Sequence, residues 1–472
     1  MKILAAFLSN ALFSLVVGLG AAAFLGPEQF GRFALGLAGA GFVQILAFDW
    51  LRLSATRFYS QVTREQRPHV RAALDAGFVW IALALACAGA GAIALFAPAD
   101  LLLLACAALG MALLNGWFDY SAALARARFL DGVYVRLILV KNAASLLFVV
   151  GAAYAAGSAA AALAGACGAL ALSIALAWRP LRDGPVQASA LARGQVRACA
   201  SECARYSAPI VLASALYLAV PLMDRMWVAE RWGYAQSGYF SLAFDIGWRI
   251  LAAFGAALDV LLFQIAVRTD EKGWASAARG QVARNCVILF AALAPAAVGL
   301  WLIAPSLQSV FAPVEFHGPF LDYFTLLLPG FFWLAMASFG VQARFQIDRK
   351  TTPLLAAALV AFALNGLVLA ATDPVSVAMV QSLAFACALA TLLLWRAKSG
   401  PMGASQFLRA SASTLLMLLA LLPLRAMDPG ATVLLAQVAL GAAIYGACII
   451  ALDVAGVRAT LLHAIQSFRE RR

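Results

Sequence analysis

Arginine and lysine fall in every second gap between the apolar segments of this 472-residue chain. A helix that spans a bilayer needs about 20 apolar residues. About fourteen such segments can be read: 3–25, 30–56, 72–97, 100–125, 132–155 and 158–178; then 207–230, 236–266, 283–304, 319–343, 353–372 and 375–396; then 405–424 and 431–452. The alternate connections carry Arg57, Arg64, Arg67 and Arg71; Arg126, Arg128 and Arg136; Arg179, Arg182, Arg193, Arg197 and Arg205; Arg268, Lys272, Arg279 and Arg284; Arg344, Arg349 and Lys350; and Arg396, Lys398 and Arg409. The other connections hold only Arg32, Arg231 and Arg425. Cytoplasmic loops favour Lys and Arg, so both termini are expected in the cytoplasm. A missed helix would invert the pattern from that point onward.

With 64% of its residues hydrophobic and 12% charged, the chain cannot cover a water-facing surface. The fold class is therefore all-α and polytopic. Residues 1–25 resemble a signal peptide, but their apolar run is too long and no polar mature domain follows, so they read as a first membrane helix. The eight cysteines are scattered, and Cys199 and Cys203 are poorly spaced for zinc and have no histidine nearby. No metal or cofactor is expected, and nothing suggests nucleic acid as a partner.

The segments repeat. Residues 25–35, LGPEQFGRFAL, align without a gap on residues 232–242, WGYAQSGYFSL. Gly26 falls on Gly233, Gln29 on Gln236, Gly31 on Gly238, Phe33 on Phe240 and Leu35 on Leu242. A weaker echo pairs Ala127-Arg128-Phe129 with Ala343-Arg344-Phe345. Internal repeats decide architecture. Six helices per repeat is an even number, so both copies share one orientation and a pseudo-two-fold axis along the membrane normal. The expected organisation is an N-terminal six-helix lobe (1–178), a cytoplasmic linker (179–205), a C-terminal six-helix lobe (206–396), two additional helices (397–453) and a basic amphipathic tail (454–472). The middle of the linker, 188–204, has good helix formers and is expected along the inner surface. Gly31 and Gly238 are expected to let the second helix of each lobe start close against a neighbour.

Ionisable residues inside the bilayer are costly and by default face a cavity or a partner. Lys141 lies about nine residues into its segment, roughly 13 Å deep, and Arg249 about thirteen residues into its own, roughly 20 Å. Asp245 is one helical turn from Arg249 and can pair with it. Asp224 and Arg225 lie in the outer third of the seventh segment; Asp49, Arg52 and Asp119 lie nearer the inner mouth of the first lobe. Two readings stand. The charges are ion pairs that hold the bundle, or they line a cleft. In the second reading Lys141, Arg249, Arg225 and Arg52, with Asn142 beside them, bind an anionic head group, and Asp245, Asp224, Asp49 and Asp119 couple an ion or gate the path. Arginine matches phosphate oxygens bidentately, whereas lysine is a point charge. The chain has no phosphate-binding glycine loop, no carboxylate pair on an outer loop and no nucleophile–base pair, which argues against an enzyme.

The stretches LGPEQFGRFALGLA and ARYSAPIVLASALYLAVPLMDRMWVAERWGYAQSGYFSLA resemble signatures of the bacterial polysaccharide-transport flippases, the O-antigen and exopolysaccharide branch of the multidrug/oligosaccharidyl-lipid/polysaccharide exporter superfamily. The resemblance implies two six-helix lobes, alternating access, a lipid-linked oligosaccharide cargo (an undecaprenyl-pyrophosphate repeat unit), a bacterial inner-membrane location, and membrane lipid, a polysaccharide polymerase and export machinery as partners. The first segment departs from the peptidoglycan lipid flippases of that superfamily, having no charge between residues 3 and 25. The rival readings are a cation-coupled exporter of small amphipathic molecules and a membrane glycan polymerase or ligase.

Overall fold

The computed structural model describes residues 2–59, 69–181, 193–271, 275–347, 352–397 and 404–458. Every regular element among them is helical, as hydrocarbon demands: with no water to take up backbone donors and acceptors, a spanning segment must satisfy its own. The helices are α1 (Lys2–Phe58), α2 (His69–Phe96), α3 (Leu102–Ala127), α4 (Asp131–Ala156), α5 (Ala159–Leu181), α6 (Arg193–Trp232), α7 (Tyr234–Glu271) and α8 (Ala275–Phe311). They continue with α9 (Pro319–Ala335), α10 (Thr352–Asn365), α11 (Pro374–Ala397), α12 (Ala404–Arg425) and α13 (Ala431–Ala451). A π-helical turn at Met336–Val341 carries α9 on into Gln342–Ile347.

Among the described residues, thirteen helices are long and apolar enough to cross a membrane. α1 is two of them in one. A straight helix of its 57 residues would be about 85 Å long, far more than the ~30 Å of hydrocarbon. It breaks at Gly26, whose φ of 66° and ψ of 174° are not helical. Counting its two arms separately gives the fourteen crossings expected. The chain is a multi-pass membrane protein. Its exposed leucines, among them Leu103, Leu147, Leu394 and Leu435, would be a liability in water but suit a lipid solvent.

Contacts divide the chain into two compact units, Met1–Leu242 and Ala243–Arg472. In the first, α1 packs on α3, α4 and α6, α4 packs on α5, and α3 on α5. The repeated glycines shape this packing. Gly26 and Gly233, the first aligned pair, both have positive φ, 66° and 90°. This left-handed backbone suits glycine because no Cβ meets the carbonyl. Gly26 breaks α1 and Gly233 separates α6 from α7.

The second aligned pair, Gly31 and Gly238, meets face to face. A Cβ on Gly31 would stand 2.0 Å from the Tyr234 carbonyl oxygen, and a Cβ on Gly238 would stand 2.0 Å from that of Pro27. Pro27 and Tyr234 are themselves equivalent in the alignment, so the contact is reciprocal, as in an isologous interface. Below it, Arg225 Nη1 donates to the Ala34 carbonyl (3.4 Å), and the Ser54 and Ser207 hydroxyls are 3.1 Å apart. Rising numbers on α1 meet falling numbers on α6, so the second arm of α1 and α6 run antiparallel from Ala34 to Ser54.

Two expectations change. The helix-forming stretch 188–204 is described from Arg193 onward, and there it extends α6 without a break instead of forming a separate helix along the surface. Nothing between Arg193 and Pro209 interrupts it. Second, the echo at Ala127-Arg128-Phe129 ends α3 in a tight turn with Phe129 at φ 55°, whereas Ala343-Arg344-Phe345 stays helical. Most of the tail, residues 459–472, lies outside the described residues, as does linker segment 182–192.

The second unit packs around aromatics. Phe320, Phe324 and Phe331 are fully buried, and Gly247 and Gly255 on α7 let the rings of Phe331 and Phe339 approach the backbone. The last two helices, α12 and α13, dock on α8. Leu302 of α8 packs with Met417 and Leu421 of α12. Tyr445 of α13 donates to the Ala291 carbonyl, and the Arg425 guanidinium lies 3.6 Å from the Trp301 ring centroid.

Candidate functional site

A polar cluster lies deep within the helices of the first unit. Asp49, on the second arm of α1, is 3% exposed and takes a bidentate pair from Arg52 one turn on, at 2.5 and 2.9 Å. Gln44 Nε2, five residues before Asp49, donates to Asp119 Oδ2 on α3 at 3.1 Å. Lys141 Nζ, on α4, donates to Asn10 Oδ1 on the first arm of α1 at 2.7 Å and lies 5.3 Å from the Phe118 ring centroid. Asp119 is within electrostatic reach of Arg52, Asp49 and Lys141, so these residues form one set.

Depth unites them. Asp49 is nine residues before the end of α1, Asp119 eight before the end of α3, and Lys141 ten after the start of α4. Each is therefore roughly 12–15 Å from the same end of the bundle. Counted from the helix ends, Asp49 and Asp119 lie one and two residues nearer that end than Lys141, on α1 and α3, which run on to Phe58 and Ala127, past the ends of their apolar segments.

Two carboxylates and two cations share the cluster, with the Asn10 and Gln44 amides as neutral bridges, and Arg126 at the end of α3 adds a third positive charge within reach of Asp119. A lone lysine at this depth would cost roughly 3 kcal/mol to insert on translocon scales. The Asn10 bond and the nearby Asp119 charge offset part of that. Such a set can hold a charged guest by exchanging partners: an anion competes with the carboxylates for Arg52 and Lys141, and a cation competes with the basic groups. Asn142, next to Lys141 in the chain, is 2% exposed, and its Nδ2 has no hydrogen-bond partner among the described residues.

The other charges chosen from sequence lie elsewhere. Asp224 and Arg225 are 0% and 5% exposed and belong to the packed α1–α6 seam, where Arg225 reaches the Ala34 carbonyl and Ser237 Oγ donates to the Arg225 carbonyl at 3.0 Å. In the second unit, Arg249 Nη2 and Asp245 Oδ2 are 3.9 Å apart, a loose pair with both side chains partly exposed. Gln44 escaped sequence reasoning; its only signal was an amide five residues from Asp49 in an apolar run. Asn10 was visible as a polar residue of the first segment, but not as the partner of Lys141, 131 positions away. Among the described residues no group of histidine, cysteine or acidic side chains is placed to hold a metal ion.

No family model and no curated protein sequence matches this chain. Solved structures do. The chain is similar to the lipid II flippase MurJ in an inward closed conformation, at 14% identity and a TM-score of 0.68, over 94% of this chain and 98% of that one. It is also similar to an inward-facing multidrug resistance MATE family transporter of the MOP superfamily, at 12% identity and a TM-score of 0.59, over 85% and 95%. A third likeness is to a point mutant of the MATE transporter VcmN of Vibrio cholerae, at 14% identity and a TM-score of 0.51, over 84% and 94%. The chain thus has the all-helical fold of these three solved structures.

Proposed function

We propose that this protein is a flippase for a lipid-linked oligosaccharide, carrying undecaprenyl-pyrophosphate repeat units across a bacterial inner membrane for O-antigen or exopolysaccharide synthesis. The observation that carries this reading is the cluster around Lys141: two cations held roughly 9–15 Å in from one end of the helices by groups that can exchange them. A pyrophosphate brings several charged oxygens, enough to draw Lys141 from Asn10 and Arg52 from Asp49, and the unpartnered amide of Asn142 supplies a further donor. The lipid tail needs no polar path, because the hydrocarbon already solvates it. The fold shared with a lipid II flippase supports the reading, as does the resemblance of residues 25–35 and 206–242 to polysaccharide flippases. In the second unit Arg249 is assigned to cargo and Asp245 to ion coupling or gating. The test is export of the glycan in a flippase-null strain. Lys141→Ala at normal protein level is expected to lower export by about tenfold or more, the equivalent of one lost hydrogen bond to a charged group. Unchanged export removes Lys141 from the mechanism.

A second reading is favoured by Asp49 and Asp119. Two carboxylates among the helices of one unit also suit a cation-coupled exporter of small amphipathic molecules on the same fold. Drug efflux from cells carrying this chain, with no effect on glycan export, would establish it in place of the first. Neither reading requires an enzyme.

A further inference from the structure

A second polar site uses other residues of α3, Trp117 and Tyr120 on either side of Asp119 in the chain. At one end of the first unit, the opening turns of α2 and the closing turns of α3 and α5 enclose a cavity of about 400 Å³. Three of its walls are aromatic. Phe78 stacks on Tyr120 with centroids 6.0 Å apart, lies 6.1 Å from Trp117, and Trp117 meets Trp178 edge-on at 5.4 Å. The floor is an ion pair: Arg71 Nε donates to both Asp75 oxygens at 2.9 and 2.8 Å, and Tyr120 Oη donates to Asp75 Oδ1 at 2.6 Å. Arg71 Nη1 also reaches the Leu181 carbonyl at the end of α5. The Asp75 side chain nevertheless stays 47% exposed. Trp178 and Val79 on the rim are 43% and 52% exposed, so the cavity is open there.

We propose that this cavity binds the zwitterionic, primary-amine head group of a phospholipid, of the phosphatidylethanolamine type. Four features point to that ligand. The cavity runs inward from the ends of the spanning helices, at Arg71 and Leu181, so its mouth lies at the depth of head groups, where tryptophan and tyrosine concentrate. Its floor carries one cation and one anion side by side and is net neutral, so an anionic or a cationic head group would bring an unmatched charge, whereas a zwitterion matches both. A primary ammonium supplies three donors to the open face of Asp75 and sits against aromatic faces, which attract cations. Its phosphate then falls beside Arg71, and the acyl chains leave past Val79 and Trp178 into the bilayer. The site is separate from the residues assigned to cargo.

Native mass spectrometry of the full-length, delipidated protein tests this with equimolar mixtures of phosphatidylethanolamine, phosphatidylcholine and phosphatidylglycerol. The wild type should retain one phosphatidylethanolamine with a preference of about tenfold over each of the others. Val79→Trp, at a rim position 52% exposed, should fill the mouth and abolish that preference. Asp75→Asn, which keeps the shape, should reduce it to parity with phosphatidylcholine. Equal retention of the three lipids by the wild type, or full preference retained in Val79→Trp, overturns the proposal. Adding glycerophosphoethanolamine separates the sources of the head group: displacement of the bound lipid assigns the site to a free zwitterion of that chemistry, and persistence of the lipid assigns it to the bilayer.

Discussion

Gly31→Ala and Gly238→Ala perturb one seam from its two sides. Each adds a methyl carbon 2.0 Å from a backbone carbonyl oxygen, where ordinary contact begins at 3.4 Å, so the helices must part by about 1.4 Å. The obstacle is main chain and cannot turn aside as a flexible side chain would. Overpacking a tight contact costs about 1–3 kcal/mol, and the upper half of that range applies here. At about 2 kcal/mol the balance between joined and parted helices moves by roughly 30-fold. Two consequences follow from the reciprocity of the contact. The two single variants should have equal effects, and the double variant should cost clearly less than their sum, because a seam already parted has room for the second methyl. The assay is cross-linking between cysteines placed at Arg32 and Tyr234, whose guanidinium and ring centroid lie 4.8 Å apart, in a background freed of the eight native cysteines. A short bismaleimide should join the pair efficiently in the parent, and much less in either alanine variant. Glycan export measured in parallel shows whether parting the seam stalls transport. Wild-type cross-linking in both variants, or strict additivity in the double variant, would refute the single-seam argument.

Other expectations are simpler. Gly26→Ala and Gly233→Ala place a side chain at φ of 66° and 90°, so each should lower thermal stability in detergent by about 1–2 kcal/mol, without the mutual coupling of the seam glycines. Asn10→Leu removes the acceptor of the Lys141 ammonium and should reduce export nearly as far as Lys141→Ala does; export at the parental level would show that Lys141 acts without that support. Tyr445→Phe deletes the hydroxyl that ties α13 to the Ala291 carbonyl, and a loss of about 0.6 kcal/mol in an unfolding assay is expected, the average for such bonds between membrane helices. A loss above about 2 kcal/mol, beyond the largest such bond, would mean that α13 depends on this contact far more than its packing suggests.

The spans, their number and the hairpin pivots were legible in the amino-acid order because they depend on local physics. A bilayer helix closes its own backbone hydrogen bonds, so about 20 apolar residues suffice to declare it. Gly26 and Gly233 stood out as aligned glycines at segment junctions, where the structure has left-handed backbone. The close approach at Gly31 and Gly238 was also foreseen, though not that each is the other's neighbour. What only tertiary structure decided was lateral pairing. Lys141 meets Asn10 across 131 positions, Gln44 meets Asp119 across 75, and Arg225 meets Ala34 across 191. Charge and depth were readable for each of these residues, but the face that each helix turns to its neighbours was not. Inside a bilayer both faces of a helix are apolar, so no hydrophobic stripe marks the packed side, and sequence left Asp224 and Arg225 open between a pair that holds the bundle and a cleft pair, whereas the structure buries them in the α1–α6 seam. The aromatic cavity at Asp75 was hidden for the same reason: its rings come from three helices, and only their packing brings them together.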